Sequence, residues 1–487
     1  MIKKIISICL ILLIYKFSYC QSENIGSYSV GFNYFKTTDN SRNYIVENDT
    51  VNRPMLIHYW YPRQNNSKSN YMTFKDYIDL IAIREDFGKN QKEIDEITEG
   101  FINAYLGFSK QQFGIDTSIT TEDVLNSPVK AIYDAKPIFG KFPLIIYAPS
   151  NSKSAVQNHI MCEYLASNGN YVVSVGSAGH ETLKRFDQKK ATLAQVRDME
   201  FITKYIRDSL KVNFSNIGLF GYSTGSMATI IYQMRTPEVK AVVSLDGSHE
   251  YAFYKILNSI EEFDFDKANT PYLMIANKFK EYSVFPFYNT IPVKDKYLYK
   301  MTAIDHNGFI SFWQQFAMCG KVSNVNSTTE SYTVLCNCVN SFFNATLKSE
   351  IENPIDFEIL NNELIQKDST DYNIAAQLLN QILQEGIDSS ITGFKSNETL
   401  YKGKAKMINV VGRMFLGNEN DIAIKIFTAN TEIHPDSWEG FYNLASAYKE
   451  SNQIDAAKGA IAKARDINND NEDIQKLYDE IMKMNSE

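Results

Sequence analysis

A serine flanked by glycines follows a short apolar run near the middle of the chain, in the order Gly221, Tyr222, Ser223, Thr224 and Gly225. The run NIGLF before it has the composition of a buried strand, and SMATIIYQMR after it has that of a helix. A strand that enters G-x-S-x-G and continues as a helix is typical of a nucleophile elbow, where a strained turn exposes the serine hydroxyl. A phosphate-binding turn is the alternative, but no Walker-type lysine follows. The pattern predicts Ser223 as a nucleophile.

A serine hydroxyl has too high a pKa to attack unaided, so it needs a base and an acid that orients the base. In the order serine, acid, histidine, only His249 and His306 follow the elbow outside the helical C-terminal part. His306 comes directly after the predicted strand YLYKMTAID and is the predicted base. Asp246 ends the strand after the elbow and is the predicted acid. Asp305 is the rival acid, but adjacent side chains near a strand end point apart.

Several segments around these residues resemble one family, the platelet-activating-factor acetylhydrolases and their bacterial dienelactone-hydrolase-like relatives. The resemblance covers about residues 28–348 and lies in RPMLIHYWYP, PLIIYAPSNS, LASNGNYVVSVGSAGH, GLFGYSTGS, VVSLDGS, PYLMIANK and IDHNGFISF. It implies an α/β-hydrolase fold with a nucleophile, acid and base at the three positions above. It also implies an oxyanion hole formed by the backbone N–H groups of Thr224 and Asn151. Pro149-Ser150 stands where family members often carry His-Gly.

Strands and helices alternate from about 143 to 306, which predicts a mainly parallel sheet covered by helices in a hydrolase domain at 21–350. The predicted strands are 143–150, 171–177, 217–223, 239–246, 272–278 and 297–305, and a helix is predicted over 192–210. Residues 70–125 are rich in charged and aromatic side chains, and they are either a lid over the site or a surface insertion.

The sequence after 350 predicts an all-α domain at 351–487. Small and aromatic residues recur at a period of 34 in tetratricopeptide-like units at about 404–437 and 438–471. A weaker unit is indicated near 372–386. Such units commonly bind a peptide or another protein in a groove. Because no candidate catalytic residue lies beyond His306, the sequence predicts that this tail is dispensable for chemistry.

The first twenty residues combine Lys3 and Lys4 with an apolar run, which predicts a secretory signal peptide at 1–20 and a periplasmic or extracellular protein. The alternative is a lipoprotein signal with Cys20 as the lipidated residue. Export permits a disulfide from Cys319 to Cys336 or Cys338, and four buried thiols are the alternative. The net charge of −8 disfavours a nucleic-acid partner. We expect no metal and no cofactor.

These patterns predict a secreted serine hydrolase that cleaves a small ester or acylated substrate through an acyl-enzyme. One alternative is an inactive hydrolase-fold binding protein that acts through the tetratricopeptide-like tail. The other is a peptidase, because a Ser-Asp-His triad does not by itself select esters over amides.

Overall fold

The computed structural model describes residues 26–64, 71–113, 118–138, 140–183, 187–251, 253–277, 284–301, 303–319, 325–348, 364–366 and 370–484. The predicted signal peptide, including Cys20, lies outside the described residues. Within them, every helix is too short or too polar to cross a bilayer.

Strands and helices make up most of the described residues. The strands are β1 (Ser29–Val46), β2 (Asp49–Arg63), β3 (Tyr71–Thr73), β4 (Pro128–Tyr133), β5 (Leu144–Ala148), β6 (Tyr171–Val175), β7 (Ile217–Tyr222), β8 (Val239–Leu245), β9 (Tyr272–Ala276), β10 (Lys296–Met301) and β11 (Leu364–Gln366). The helices are α1 (Phe74–Ala82), α2 (Gln91–Phe113), α3 (Thr121–Leu125), α4 (His159–Ser167), α5 (Gln188–Asp208), α6 (Gly225–Arg235), α7 (Tyr254–Asn258), α8 (Pro286–Thr290), α9 (Phe312–Cys319), α10 (Val325–Leu347), α11 (Thr370–Glu385), α12 (Ile387–Ser396), α13 (Glu398–Tyr401), α14 (Ala405–Arg413), α15 (Asn420–Ile433), α16 (Trp438–Glu450), α17 (Ile454–Ile467) and α18 (Glu472–Met482). The predicted alternation of strands and helices between 143 and 306, and the helical character of the C-terminal part, are both confirmed.

The chain divides into two compact units. The sheet unit contains the residues up to 246 together with 270–277 and 301–365, and the helical unit contains 247–269, 278–300 and 366–487. The sequence predicts a single domain boundary at 350. In the structure, the segments 247–269 and 278–300, which lie between Asp246 and His306 in sequence, also belong to the helical unit.

The sheet unit has the strand order β9-β8-β7-β5-β6-β2-β1-β4-β3. Strands β6, β5, β7, β8 and β9 pair with one another in parallel, whereas β2 pairs antiparallel with both β6 and β1. Strands β5, β6 and β7 are buried along their whole length, as is usual for the centre of a parallel sheet covered by helices. Helices α4, α5, α6 and α10 pack against these strands. The carboxyl ends of β5, β7, β8 and β9 therefore meet at one edge of the sheet.

The described residues of the segment predicted as a lid or a surface insertion form β3, α1, α2 and α3. Its side chains are part of the packed structure, because Phe74 and Tyr77 are fully buried. On α2, the ring of Tyr105 lies 5.8 Å from that of Phe312 and 5.7 Å from that of Trp313. Its hydroxyl accepts a hydrogen bond of 3.3 Å from Gln157, a residue of the turn that precedes α4. Helix α2 is thus anchored on the elements that follow β5 and β10.

The helical unit pairs α14 with α15 and α16 with α17, which fall within the two predicted 34-residue repeats. Its first long helix, α11, packs against α8, a helix of the segment 278–300. Asn380 of α11 donates a hydrogen bond of 2.8 Å to the hydroxyl of Thr290 and accepts one from Tyr254. The C-terminal helices are therefore one packed body with the two segments that separate Asp246 from His306 in sequence.

Candidate active site

The backbone turn at Ser223 has the geometry that the G-x-S-x-G sequence predicts. Ser223 has a positive φ of 55° between the end of β7 and the start of α6, a conformation that non-glycine residues rarely adopt. A Cβ on Gly221 would lie 2.5 Å from the backbone of Ser226, and a Cβ on Gly225 would lie 2.1 Å from the carbonyl oxygen of Ala148. Both glycines are therefore required sterically, and the second lets α6 start against the end of β5.

The position of the candidate acid follows from the pairing of β7 with β8. Tyr222 is opposite Leu245, and the N–H of Ser223 donates 3.0 Å to the carbonyl of Leu245. Asp246 is the next residue, so it follows β8 at the same edge at which Ser223 follows β7. Asp246 also has a positive φ, of 47°, and its side chain is fully buried.

Both carboxylate oxygens of Asp246 accept hydrogen bonds. Asn277, directly after β9, donates its backbone N–H to Oδ1 at 3.2 Å and its side-chain Nδ2 to Oδ2 at 2.6 Å. The Nδ1 of His306 also contacts Oδ2. Burial of the carboxylate raises its pKa, but the hydrogen bonds and charge of His306 and the bonds from Asn277 outweigh this, so the pKa of Asp246 lies below its ordinary value. Asp246 is therefore held as an ionised acceptor for the imidazole.

The candidate base lies between Asp246 and solvent. His306 opens a 3₁₀ turn that follows β10, and its side chain is 45% exposed. The ring of Tyr222 stacks on the imidazole with centroids 5.1 Å apart, and the Tyr222 hydroxyl donates 3.0 Å to the backbone carbonyl of His306. Because Tyr222 directly precedes Ser223, this contact places the imidazole beside the elbow.

The rival candidates have other roles. Asp305 caps the 3₁₀ turn by accepting 3.0 Å from the N–H of Gly308. His249 is fully buried against the ring of Phe287, and burial lowers its pKa to about 3. Burial also lowers the pKa of His58 and of His159 to about 4. These three imidazoles are neutral parts of the interior, whereas His306 combines solvent access with a carboxylate partner.

The predicted oxyanion residues also lie at this edge. Thr224, between Ser223 and α6, is 7% exposed, and its backbone N–H has no acceptor among the described residues. The N–H of Asn151, in the turn after β5, donates 2.8 Å to the side-chain Oγ1 of Thr224. The structure thus brings the two residues together, but the Asn151 N–H is bound to a hydroxyl of the protein itself.

Two contributors were not predicted from the sequence. Asn277 fixes both oxygens of Asp246, and Tyr222 packs on the imidazole. A signal for Asn277 does exist, because it is a polar residue directly after a buried strand in the sheet, where side chains from neighbouring strand ends meet. Tyr222 carries no comparable signal, since G-x-S-x-G accepts any residue at that position.

Within the described residues, no cluster of three or more His, Cys, Asp or Glu side chains is arranged to hold a metal ion. Of the two alternatives for the cysteines, the structure has thiols and no disulfide from Cys319; Cys162, Cys336 and Cys338 are buried, and Cys319 is partly exposed. Burial raises the pKa of Cys162, Cys336 and Cys338 above the ordinary value of a thiol, which keeps these three groups protonated.

No family model matches the chain, and no curated protein matches it. Among solved structures, a ferulic acid esterase from Streptomyces cinnamoneus is similar to this chain, with 15% sequence identity and a TM-score of 0.49. The alignment covers 72% of this chain and 98% of the esterase. At this level of similarity, function has to be inferred from the geometry of the site.

Proposed function

We propose that the protein is a serine hydrolase of the α/β-hydrolase type that cleaves carboxylic esters through an acyl-enzyme. The observation that carries the proposal is the contact of His306 Nδ1 with the buried carboxylate of Asp246, beside a serine on a strained turn. With Nδ1 bound to the carboxylate, Nε2 is the ring nitrogen that remains to accept a proton from Ser223. The family resemblance of the sequence supports the same three roles.

The chemistry then follows the usual order for a Ser-His-Asp triad. Nε2 of His306 takes the Ser223 proton as the oxygen attacks the ester carbonyl, and the resulting oxyanion accepts a hydrogen bond from the Thr224 N–H. The imidazolium, stabilised by Asp246, returns the proton to the departing alcohol and leaves an acyl ester on Ser223. A water molecule, deprotonated by His306, then attacks the acyl ester in the same way. The proton returns to the Ser223 oxygen, which releases the carboxylic acid and restores the free serine.

Turnover of p-nitrophenyl acetate, butyrate and octanoate by the purified full-length protein tests this proposal. We expect release of p-nitrophenol by the wild type and its loss in Ser223→Ala. Ser389→Ala, which removes an exposed serine hydroxyl from α12, is the matched control and should keep wild-type turnover. Release of p-nitrophenol by Ser223→Ala at the wild-type rate would contradict the proposal, and turnover of p-nitroanilides in preference to the esters would favour a peptidase.

A further inference from the structure

The side chain of Thr224 connects the elbow to the turn after β5. Its Oγ1 accepts the N–H of Asn151 at 2.8 Å and lies 3.1 Å from the hydroxyl oxygen of Ser150. The absence of a Cβ at Gly225 makes this approach possible, because any side chain there would collide with the carbonyl oxygens of Ala148 and Pro149. The hydroxyl of Thr224 is therefore held in place by the turn that follows the neighbouring strand β5.

The hydrogen-bonding capacity of a hydroxyl determines where its proton can go. A threonine hydroxyl has one proton to donate and two lone pairs to accept with. The N–H of Asn151 occupies one lone pair, and the hydroxyl of Ser150 can donate to the other. Among the described residues, Oγ1 of Thr224 has no further hydrogen-bond partner. With Ser150 as donor, the Thr224 proton remains for an acceptor that the protein does not supply.

The hydrogen bond from the Asn151 N–H to the Thr224 hydroxyl changes which groups can donate to the oxyanion. The Asn151 N–H already donates to Oγ1, so it cannot also donate fully to a substrate oxygen while this bond persists. The backbone N–H and the side-chain O–H of Thr224 belong to one residue, directly after the nucleophile, and both lack another acceptor among the residues that the structure describes. Donors bound to Oγ1 also polarise its O–H and strengthen the bond that this proton makes.

We propose that the Thr224 hydroxyl is a catalytic hydrogen-bond donor to the oxyanion, beside the Thr224 backbone N–H, and that Asn151 and Ser150 orient it. The proposal rests on the proposed ester hydrolysis and assigns a second donor for that reaction. According to this proposal, Asn151 orients the Thr224 hydroxyl and does not itself contact the substrate.

Thr224→Val gives the sharpest test. Valine keeps the branched shape and the backbone N–H, but it removes the hydroxyl and leaves the Asn151 N–H without its acceptor. We expect kcat on p-nitrophenyl butyrate to fall by about 10²- to 10³-fold, as for the loss of other oxyanion donors, with KM nearly unchanged. Thr224→Ser keeps the hydroxyl and should retain kcat within about tenfold. A Thr224→Val kcat equal to or above that of the wild type would overturn the proposal, because the freed Asn151 N–H would then be the second donor.

Affinity for a boronic acid and labelling by a fluorophosphonate test the role of the Thr224 hydroxyl independently of kcat. Affinity for benzeneboronic acid, whose serine adduct carries an oxyanion-like oxygen, should fall in Thr224→Val in parallel with kcat, and an unchanged affinity would contradict the proposal. If Thr224→Val does not fold, Thr224→Ala is compared with Thr224→Ser in the same two assays. Labelling by a fluorophosphonate separates failure of the proposed function from failure of the Thr224 role. Wild-type protein that is not labelled at Ser223 contradicts the proposed function, whereas labelled variants with unchanged kcat contradict only the role of the Thr224 hydroxyl.

Discussion

At the scale of single residues, the two polar partners in the Asp246–His306 pair differ in exposure, and this difference sets their roles. Asp246 is fully buried and satisfied by Asn277, so it can fix the imidazole and balance its charge but cannot reach a substrate. His306 is partly exposed at the same edge and can exchange protons with solvent and substrate. In the proposed reaction, the imidazole rather than the carboxylate is therefore the group whose removal should stop proton transfer.

His306→Ala should lower kcat by roughly 10⁴-fold or more, because members of a triad act as a unit and the loss of one removes most of the rate enhancement that they provide together. His434→Ala removes a histidine of the helical unit instead. It is the control and should keep wild-type turnover. The measurement is kcat on p-nitrophenyl butyrate for both variants at equal concentrations of folded protein. An active His306→Ala together with an inactive His249→Ala would show that the base has been misassigned.

The positions of the three candidate triad residues could be predicted from the sequence, because each of them directly or closely follows an apolar strand. Strand ends are visible in a sequence, and parallel strands bring their carboxyl ends to one edge. The bonds from Asn277 to Asp246 and from Asn151 to Thr224 could not be predicted in the same way. They depend on the exact approach of loops and on side-chain rotamers, which leave no pattern along the chain.

At the scale of elements, a buried carboxylate joins α4 to β4. Glu163 of α4 is fully buried and accepts 2.8 Å from the hydroxyl of Tyr77, and it also accepts the backbone N–H groups of Lys130 and Ala131 in β4. Burial of the carboxylate raises its pKa from 4.5 to about 7, against the opposing effect of these donors. The free energy of unfolding should therefore contain a contribution from this side chain that varies with pH.

The sign of the pH dependence follows from linkage between protonation and folding. The folded protein binds the Glu163 proton more tightly than the unfolded chain does. The stability that this provides is complete below pH 4.5 and is lost as the pH rises toward and through about 7, by an amount on the order of 3 kcal/mol. Thermal melts of the wild type should therefore show this contribution declining over that window.

Glu163→Gln carries no titratable proton, so its melting temperature should vary less with pH across the same window than that of the wild type. The variant should be less stable at low pH, because its amide nitrogen faces a backbone N–H of β4. Glu122→Gln makes the same carboxylate-to-amide change at an exposed position of the short helix α3 and is the matched control. Parallel pH profiles for the wild type and Glu163→Gln would contradict this role of the buried carboxylate.

At the scale of the whole molecule, the sequence predicts a tail that is dispensable for chemistry, and this stays a prediction. The two segments that lie between Asp246 and His306 in sequence pack with the C-terminal helices in one unit. Lys255, in the first segment, forms an ion pair with Glu419 and lies 4.4 Å from the ring centroid of Phe415. The sequence could indicate helical repeats but not the surface on which they pack, because that surface comes from distant parts of the chain.

A chain that ends at residue 365 should melt at a lower temperature than the full chain and should titrate with a fluorophosphonate at well below one site per molecule. The reason is that removal of α11 to α18 takes away Asn380, which is hydrogen-bonded to the buried Tyr254 and to Thr290. A chain that ends at residue 470, which lacks only α18, is the control and should titrate almost fully. Equal melting temperature and full titration for the chain ending at residue 365 would support the prediction of a dispensable tail.

The most direct test of the central claim is the site of labelling by a fluorophosphonate, read by peptide mass spectrometry. Only a serine activated by a neighbouring base reacts readily with such a probe. We predict one probe per chain on the peptide that contains Ser223, no label in Ser223→Ala, and much slower labelling in His306→Ala. A probe on a different serine, or labelling that persists in Ser223→Ala, would contradict the assignment of the nucleophile.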